Sequence, residues 1–228
     1  MVLGVLDVAL QLGLRPHHPG AVAPSLRRVR TDRGLDRLIT FLDAVVAIAI
    51  TLLVLPLVDV IPDEGATVDL GDLLADEAGR FGAFALSFAV IAQLWLVHHR
   101  IVERVGSYDM PFVLVNLLWT LTIVLLPFAT EVAAVYGDQR LAIGVYIGTM
   151  AVSSTCLTVL SLMISGRPHL RRHGYDGAED DPTGSLLTTA AFGVALVLGV
   201  AVPAVGYLAL LLLFLPDPVR RLLARRAR

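Results

Sequence analysis

Residues 37–57 read RLITFLDAVVAIAITLLVLPL. From Ala44 to Leu57 nothing is charged, and Thr51 is the one polar side chain. Arg37 and Asp43 stand six residues apart at the leading edge of this run. At about 1.5 Å per helical residue, the stretch is long enough to cross a hydrocarbon layer of ~30 Å. It predicts a membrane-spanning helix that opens with two opposite charges.

The same pattern recurs along the chain. Further apolar blocks occupy roughly 81–102, 111–132 and 141–165, and a last block covers 185–216. Of 228 residues 56% are hydrophobic and only 17% charged, too few charges for a soluble domain of this length. The last block is too long for one span and short for two. Pro203 divides it, and proline is tolerated in the first turn of a helix. The fold class read from these blocks is all-α: a polytopic membrane protein with six transmembrane helices per subunit, the last two short. Residues 1–36 read as an N-terminal cytoplasmic segment, partly linker. Residues 37–216 form the transmembrane domain, and 217–228 a basic tail.

All 18 basic residues are arginine, the usage expected of a GC-rich genome. With six spans, sixteen arginines fall on the side of the two termini and two, Arg80 and Arg140, on the other. Positive charge favours the cytoplasmic side, so the bias predicts a plasma-membrane protein with both termini in the cytoplasm. The first outer loop, 59–80, holds seven carboxylates and one arginine, which fits either a solvated loop or a cation-attracting surface. The tail VRRLLARRAR suits an anionic lipid surface. The single cysteine, Cys156, excludes a disulfide within the chain.

Ile48, Leu52 and Leu55 are spaced i, i+4, i+7 and share a helix face, with Thr51 beside them. Any spanning helix carries such a face against lipid or core. Arg37 and Asp43 are too far apart for a close helical pair, so each needs partners on other helices. Candidates are Trp95, His98 and His99 in the second block and Asn116 in the third. A competing reading makes Asp43 a lumen-facing proton or cation site. Adjacent histidines point to different faces, and no cysteine completes a set, so no metal site is expected.

Several of these stretches resemble one family. Arg37-x-x-x-Phe41-Leu42-Asp43 is followed by Ala47-Ile48-Ala49-Ile50-Thr51-Leu52-Leu53. Trp95-Leu96-Val97-His98-His99-Arg100 closes the second block. Asn116-Leu117-Leu118 and Leu126-Pro127-Phe128-Ala129-Thr130 mark the third. Together they resemble the prokaryotic transmembrane protein 175 potassium channels, with Leu42 where that family has serine. The resemblance implies a homotetramer in the lipid bilayer whose first helices line the pore. It implies a gate and filter of apolar side chains centred on Ile48, with Leu52, Leu55 and Thr51 alongside, and potassium as the permeant ion. No Thr-Val-Gly-Tyr-Gly filter is present in the sequence. Arg37, Phe41, Asp43, Trp95, His98, His99 and Asn116 are then read as a structural polar network.

The function expected is a potassium-permeable cation channel. The alternative is a small secondary transporter using Asp43, although the two halves show no convincing repeat. No cluster of nucleophiles or metal ligands suggests an enzyme, and no cofactor or nucleic-acid partner is expected.

Overall fold

The computed structural model describes residues 32–61, 69–137, 139–172, 183–202 and 210. The helices are α1 (Asp32–Leu52), α2 (Leu55–Val58), α3 (Leu70–Asp76), α4 (Ala78–Val102), α5 (Met110–Val135), α6 (Arg140–Gly166) and α7 (Thr183–Ala201). Among the described residues the single β feature is an isolated bridge between Val105 and Arg171. The chain is an all-α polytopic membrane protein.

Among the described residues five segments are long and apolar enough to span a bilayer: Arg33–Val58, Ala78–Val102, Met110–Val135, Arg140–Gly166 and Gly184–Ala201. α7 closes at Ala201, just ahead of Pro203, because the residue before a proline is steered away from helical geometry. The sixth span expected after Pro203 lies outside the described residues, apart from Leu210, which is buried. Residues 1–31, the stretch 62–68 and the basic tail also lie outside them, while 32–36, read as the end of the N-terminal segment, are already the start of α1.

α6 is the hub. It packs against α4, α5 and α7 and buries Ile143, Tyr146, Ile147, Met150, Leu157, Leu160 and Ile164. Opposite it, α5 contributes Trp119, Ile123 and Leu126, and α4 contributes Ile91 and Leu94. Apolar area gives little drive between helices in lipid, so hydroxyl contacts and close packing hold the seams. At one end Ser87, Thr130 and Tyr146 join α4, α5 and α6, with oxygen separations of 2.9 and 2.8 Å. Between α6 and α7, Thr189 meets Ser154 at 2.9 Å and Thr158 at 2.8 Å.

α1 leans on α5 and, less extensively, on α4. Pro56 has no N–H to continue the helix. The chain answers by tightening: the Leu53 amide donates to Ile50 at 3.3 Å and the Val54 amide to Thr51 at 3.2 Å. It then restarts as the single turn α2, which has no buried side chain.

The loops 103–109 and 167–172 close on each other. Gly106 N donates to Leu170 O at 2.9 Å, and Arg172 N to Arg104 O at 2.9 Å. Arg171 caps the end of α6 through the Ile164 and Ser165 carbonyls, at 3.1 and 2.6 Å. Asp109 accepts from Phe112 N at the start of α5, at 3.0 Å, and from Arg167 Nη1 at 2.8 Å. The Tyr108 hydroxyl lies over Gly34, so the start of α1 is on the side of this clasp. That side carries Arg33, Arg37, Arg100, Arg104, Arg167, Arg171 and Arg172, whereas Arg80 and Arg140 sit at the opposite helix ends.

A Cβ at Gly106 would lie 2.7 Å from the Arg172 Cα and 3.1 Å from the Arg171 carbonyl oxygen. Both are backbone atoms, so relief requires opening the clasp. Gly106→Ala is expected to destabilise the protein by ~1–3 kcal/mol, in the range of other overpacked sites. A thermal melt in detergent matching the wild type would contradict this account of the clasp.

Candidate functional site

α1 presents two unlike faces. Leu35, Leu42, Val46, Ala49 and Leu53 are buried against the other helices. The other face is uncovered, and the exposure continues into α2: Ile48 is 58% exposed, Leu52 40% and Leu55 of α2 54%, against 1% for Ala49. Arg37, Phe41, Ala44, Ala47 and Thr51 are exposed with them. Arg37, Phe41, Ala44, Ile48, Thr51 and Leu55 follow one another at alternating steps of four and three, a single stripe on a helix. Ile50 points the other way and packs against the core. Thr51 spends its hydroxyl hydrogen on the Ile48 carbonyl at 2.7 Å, so its oxygen is left as an acceptor.

Asp43 sits at the edge between the two faces. Its Oδ1 accepts a 2.9 Å hydrogen bond from Trp95 Nε1 on α4. The Trp95 ring stacks on His99, with centroids 5.3 Å apart and planes at 26°. His99 Nε2 in turn lies 3.3 Å from Glu103 Oε1, one helical turn further on. A second group is centred on His98. Asn116 donates through Nδ2 to the Phe112 carbonyl at 2.8 Å, which fixes its amide orientation. Its Oδ1 therefore accepts from His98 Nε2, 2.8 Å away, so that nitrogen carries the hydrogen. The His98 ring lies flat on Trp119, with centroids 3.9 Å apart and planes at 7°.

The structure thus joins Asp43, Trp95 and His99 in one chain of contacts, and His98 and Asn116 in another. Arg37 and Phe41 are not brought together with either: both are exposed, and Arg37 has no hydrogen bond or ion pair with the described residues. Leu42 fills a fully buried position. Trp119 and Glu103 were not anticipated as members. The spacing Asn116–Trp119 and the pair His99–Glu103, three and four residues apart on their helices, were the signals available. Among the described residues no three His, Cys, Asp or Glu side chains cluster as a metal site.

These residues coincide with a known sequence family. The profile described as "Endosomal/lysosomal potassium channel TMEM175" matches residues 37–127, from Arg37 through α5 as far as Pro127. Along this stretch the chain is similar to the TMEM175 family. A potassium channel of Streptomyces collinus is 27% identical over 169 residues, 72% of this chain and 81% of that relative. A potassium channel of Chamaesiphon minutus is 38% identical over 117 residues, 49% of this chain and 57% of the relative. The human endosomal/lysosomal proton channel TMEM175 is 26% identical over 161 residues, 67% of this chain. The chain spans only 31% of that human protein's length, and 23% and 24% of the rat and mouse proteins.

Trp95→Phe keeps the stacking surface but leaves the Asp43 carboxylate without its donor. A part-buried charge stripped of a hydrogen bond costs ~1–3 kcal/mol. Asp43→Asn keeps an acceptor oxygen for Trp95, so its loss should be smaller. The two melting temperatures should therefore rank wild type, Asp43→Asn, Trp95→Phe, and the reverse order for the two variants would remove this bond from the packing of α1.

Proposed function

We propose that this chain is a subunit of a potassium-permeable cation channel in the plasma membrane. Four copies would surround a pore lined by α1, with both termini in the cytoplasm. The observation that carries this reading is the stripe Phe41–Ala44–Ile48–Thr51–Leu55, uncovered while the opposite face of the same helix is buried. One subunit supplies one such stripe, so a closed conduction path needs several. The names of the Streptomyces and Chamaesiphon relatives support potassium as the permeant ion.

In this reading Ile48 makes the narrowest ring, and Leu52 and Leu55 extend a dry neck. A passing ion sheds part of its water there at a cost of several kcal/mol. Thr51 contributes an adjacent ring of acceptor oxygens. Asp43, Trp95, His98, His99 and Asn116 act as a polar network that holds α1 against its neighbours. The bond from Trp95 to Asp43 favours this over a transporter using Asp43 as a coupling site. No cofactor, metal or nucleic acid enters the scheme; the remaining apolar surface faces lipid.

Two measurements test the reading. Native mass spectrometry in mild detergent should return a tetramer, and a stable monomer would count against the assembly. Bilayer recording in mixed potassium and sodium should find that Ile48→Asn raises conductance and lowers potassium-over-sodium preference. A fall of about tenfold corresponds to about 1.4 kcal/mol of discrimination. Leu52→Asn and Leu55→Asn should act in the same direction more weakly, while Ile50→Asn should impair folding. Currents and reversal potentials identical to the wild type would remove Ile48 from the neck.

A further inference from the structure

Arg37 belongs to the same stripe as the residues of the neck, seven residues before Ala44 and eleven before Ile48. It is exposed and has no hydrogen bond or ion pair with the described residues. Asp43, the acid its motif suggests as a partner, is held by Trp95 at the margin of the buried face. Arg33, one turn earlier, is also exposed and falls on the same stripe, whereas the two acids of this segment, Asp32 and Asp36, each precede an arginine by one residue and so lie about 100° round the helix. At the far end of the stripe the exposed residue beyond α2 is an acid, Asp59. The uncovered face of α1 therefore runs from positive, through apolar, to negative.

We infer that Arg37 forms a ring of positive charge at the mouth of the pore on the clasp side, and that this ring makes conduction asymmetric. The inference rests on the α1-lined pore proposed above. Four guanidinium groups lower the local concentration of cations at that mouth, while the Asp59 mouth raises it. Cations then leave through the Arg37 mouth more readily than they enter by it. With the clasp side in the cytoplasm, the current rectifies inward. Arginine holds its charge at every pH the protein meets, so the positive ring itself is not switched by protonation. It is sensitive to salt, because the screening length shrinks from about 10 Å at 0.1 M to about 3 Å at 1 M.

The test uses reconstituted full-length protein in symmetric potassium chloride. Wild type at about 50 mM salt should pass at least about twofold more current toward the Arg37 side than away from it. At about 1 M the ratio should approach one. Arg37→Cys gives a charge-reversal assay in which each channel is its own folding control, since Cys156 is the sole native cysteine and is buried. A cationic methanethiosulfonate reagent should restore the wild-type asymmetry, and an anionic one should invert it. The same reagents on Arg100→Cys, an exposed position on α4 away from the stripe, should leave the ratio unchanged. A linear wild-type current at low salt, as expected if Arg37 pairs with Asp36 of a neighbouring copy, overturns the inference. So do equal effects of the two reagents. In either case an altered Ile48→Asn current leaves the α1-lined pore standing; an unaltered one removes that pore and this inference with it.

Discussion

The hydrogen bond from Trp95 to Asp43 fixes the rotation of α1 about its own axis. In hydrocarbon a carboxylate cannot be left to water, so the helix turns until the acid meets the indole donor. That rotation buries Leu42, Val46 and Ala49 and turns Ile48, Leu52 and Leu55 outward. A rotation by one residue, about 100°, would carry the isoleucine off the uncovered face and bring its neighbours onto it. One polar contact thus decides which side chains this span leaves uncovered.

The rest of the bundle gives that contact something firm to act against. Trp95 stacks on His99, and the next turn of α4 sets His98 on Trp119 and Asn116. Toward the opposite end the hydroxyls of Ser87, Thr130 and Tyr146 tie α4, α5 and α6 together. Each is a small polar contact within a largely apolar interior, and all but the Trp95–His99 stack join two different helices. Packing among Ile91, Ile123, Leu126, Ile147 and Met150 fills the space between the two polar levels. Polar contacts specify how the helices pair, and the apolar side chains fill what that pairing leaves.

Much of this was legible in the sequence. Uninterrupted apolar runs gave four spans and the start of a fifth, and the fifth ends at Ala201, just ahead of the Pro203 that was read as dividing the last block in two. The spacing of Ile48, Leu52 and Leu55 put them on one face, although spacing alone could not say whether lipid, core or another copy covers it. Asp43 was expected to find a partner on another helix, and Trp95 was among the candidates. Arg37 was harder, because a charge at a span edge reads equally as a buried partner or an outward one. The stacking of His98 on Trp119 joins residues on two helices across a hairpin, beyond the reach of any local spacing rule. Helix α3 arises inside a stretch read as an acidic loop, where Asp69 caps the first turn by accepting from Gly71 N at 2.7 Å.

The tightened turn at Leu53–Val54 divides the first span, Arg33–Val58, mechanically into α1 and α2. Up to Leu53 the helix is anchored by buried side chains, whereas the turn from Leu55 to Val58 buries none. The two parts therefore differ in compliance. The anchored part is as stiff as the bundle behind it, and displacing it disrupts packed contacts. The part beyond the turn packs chiefly on α4 and buries no side chain fully, so Leu55–Val58 can shift while the packing behind the rest of the span stays as it is.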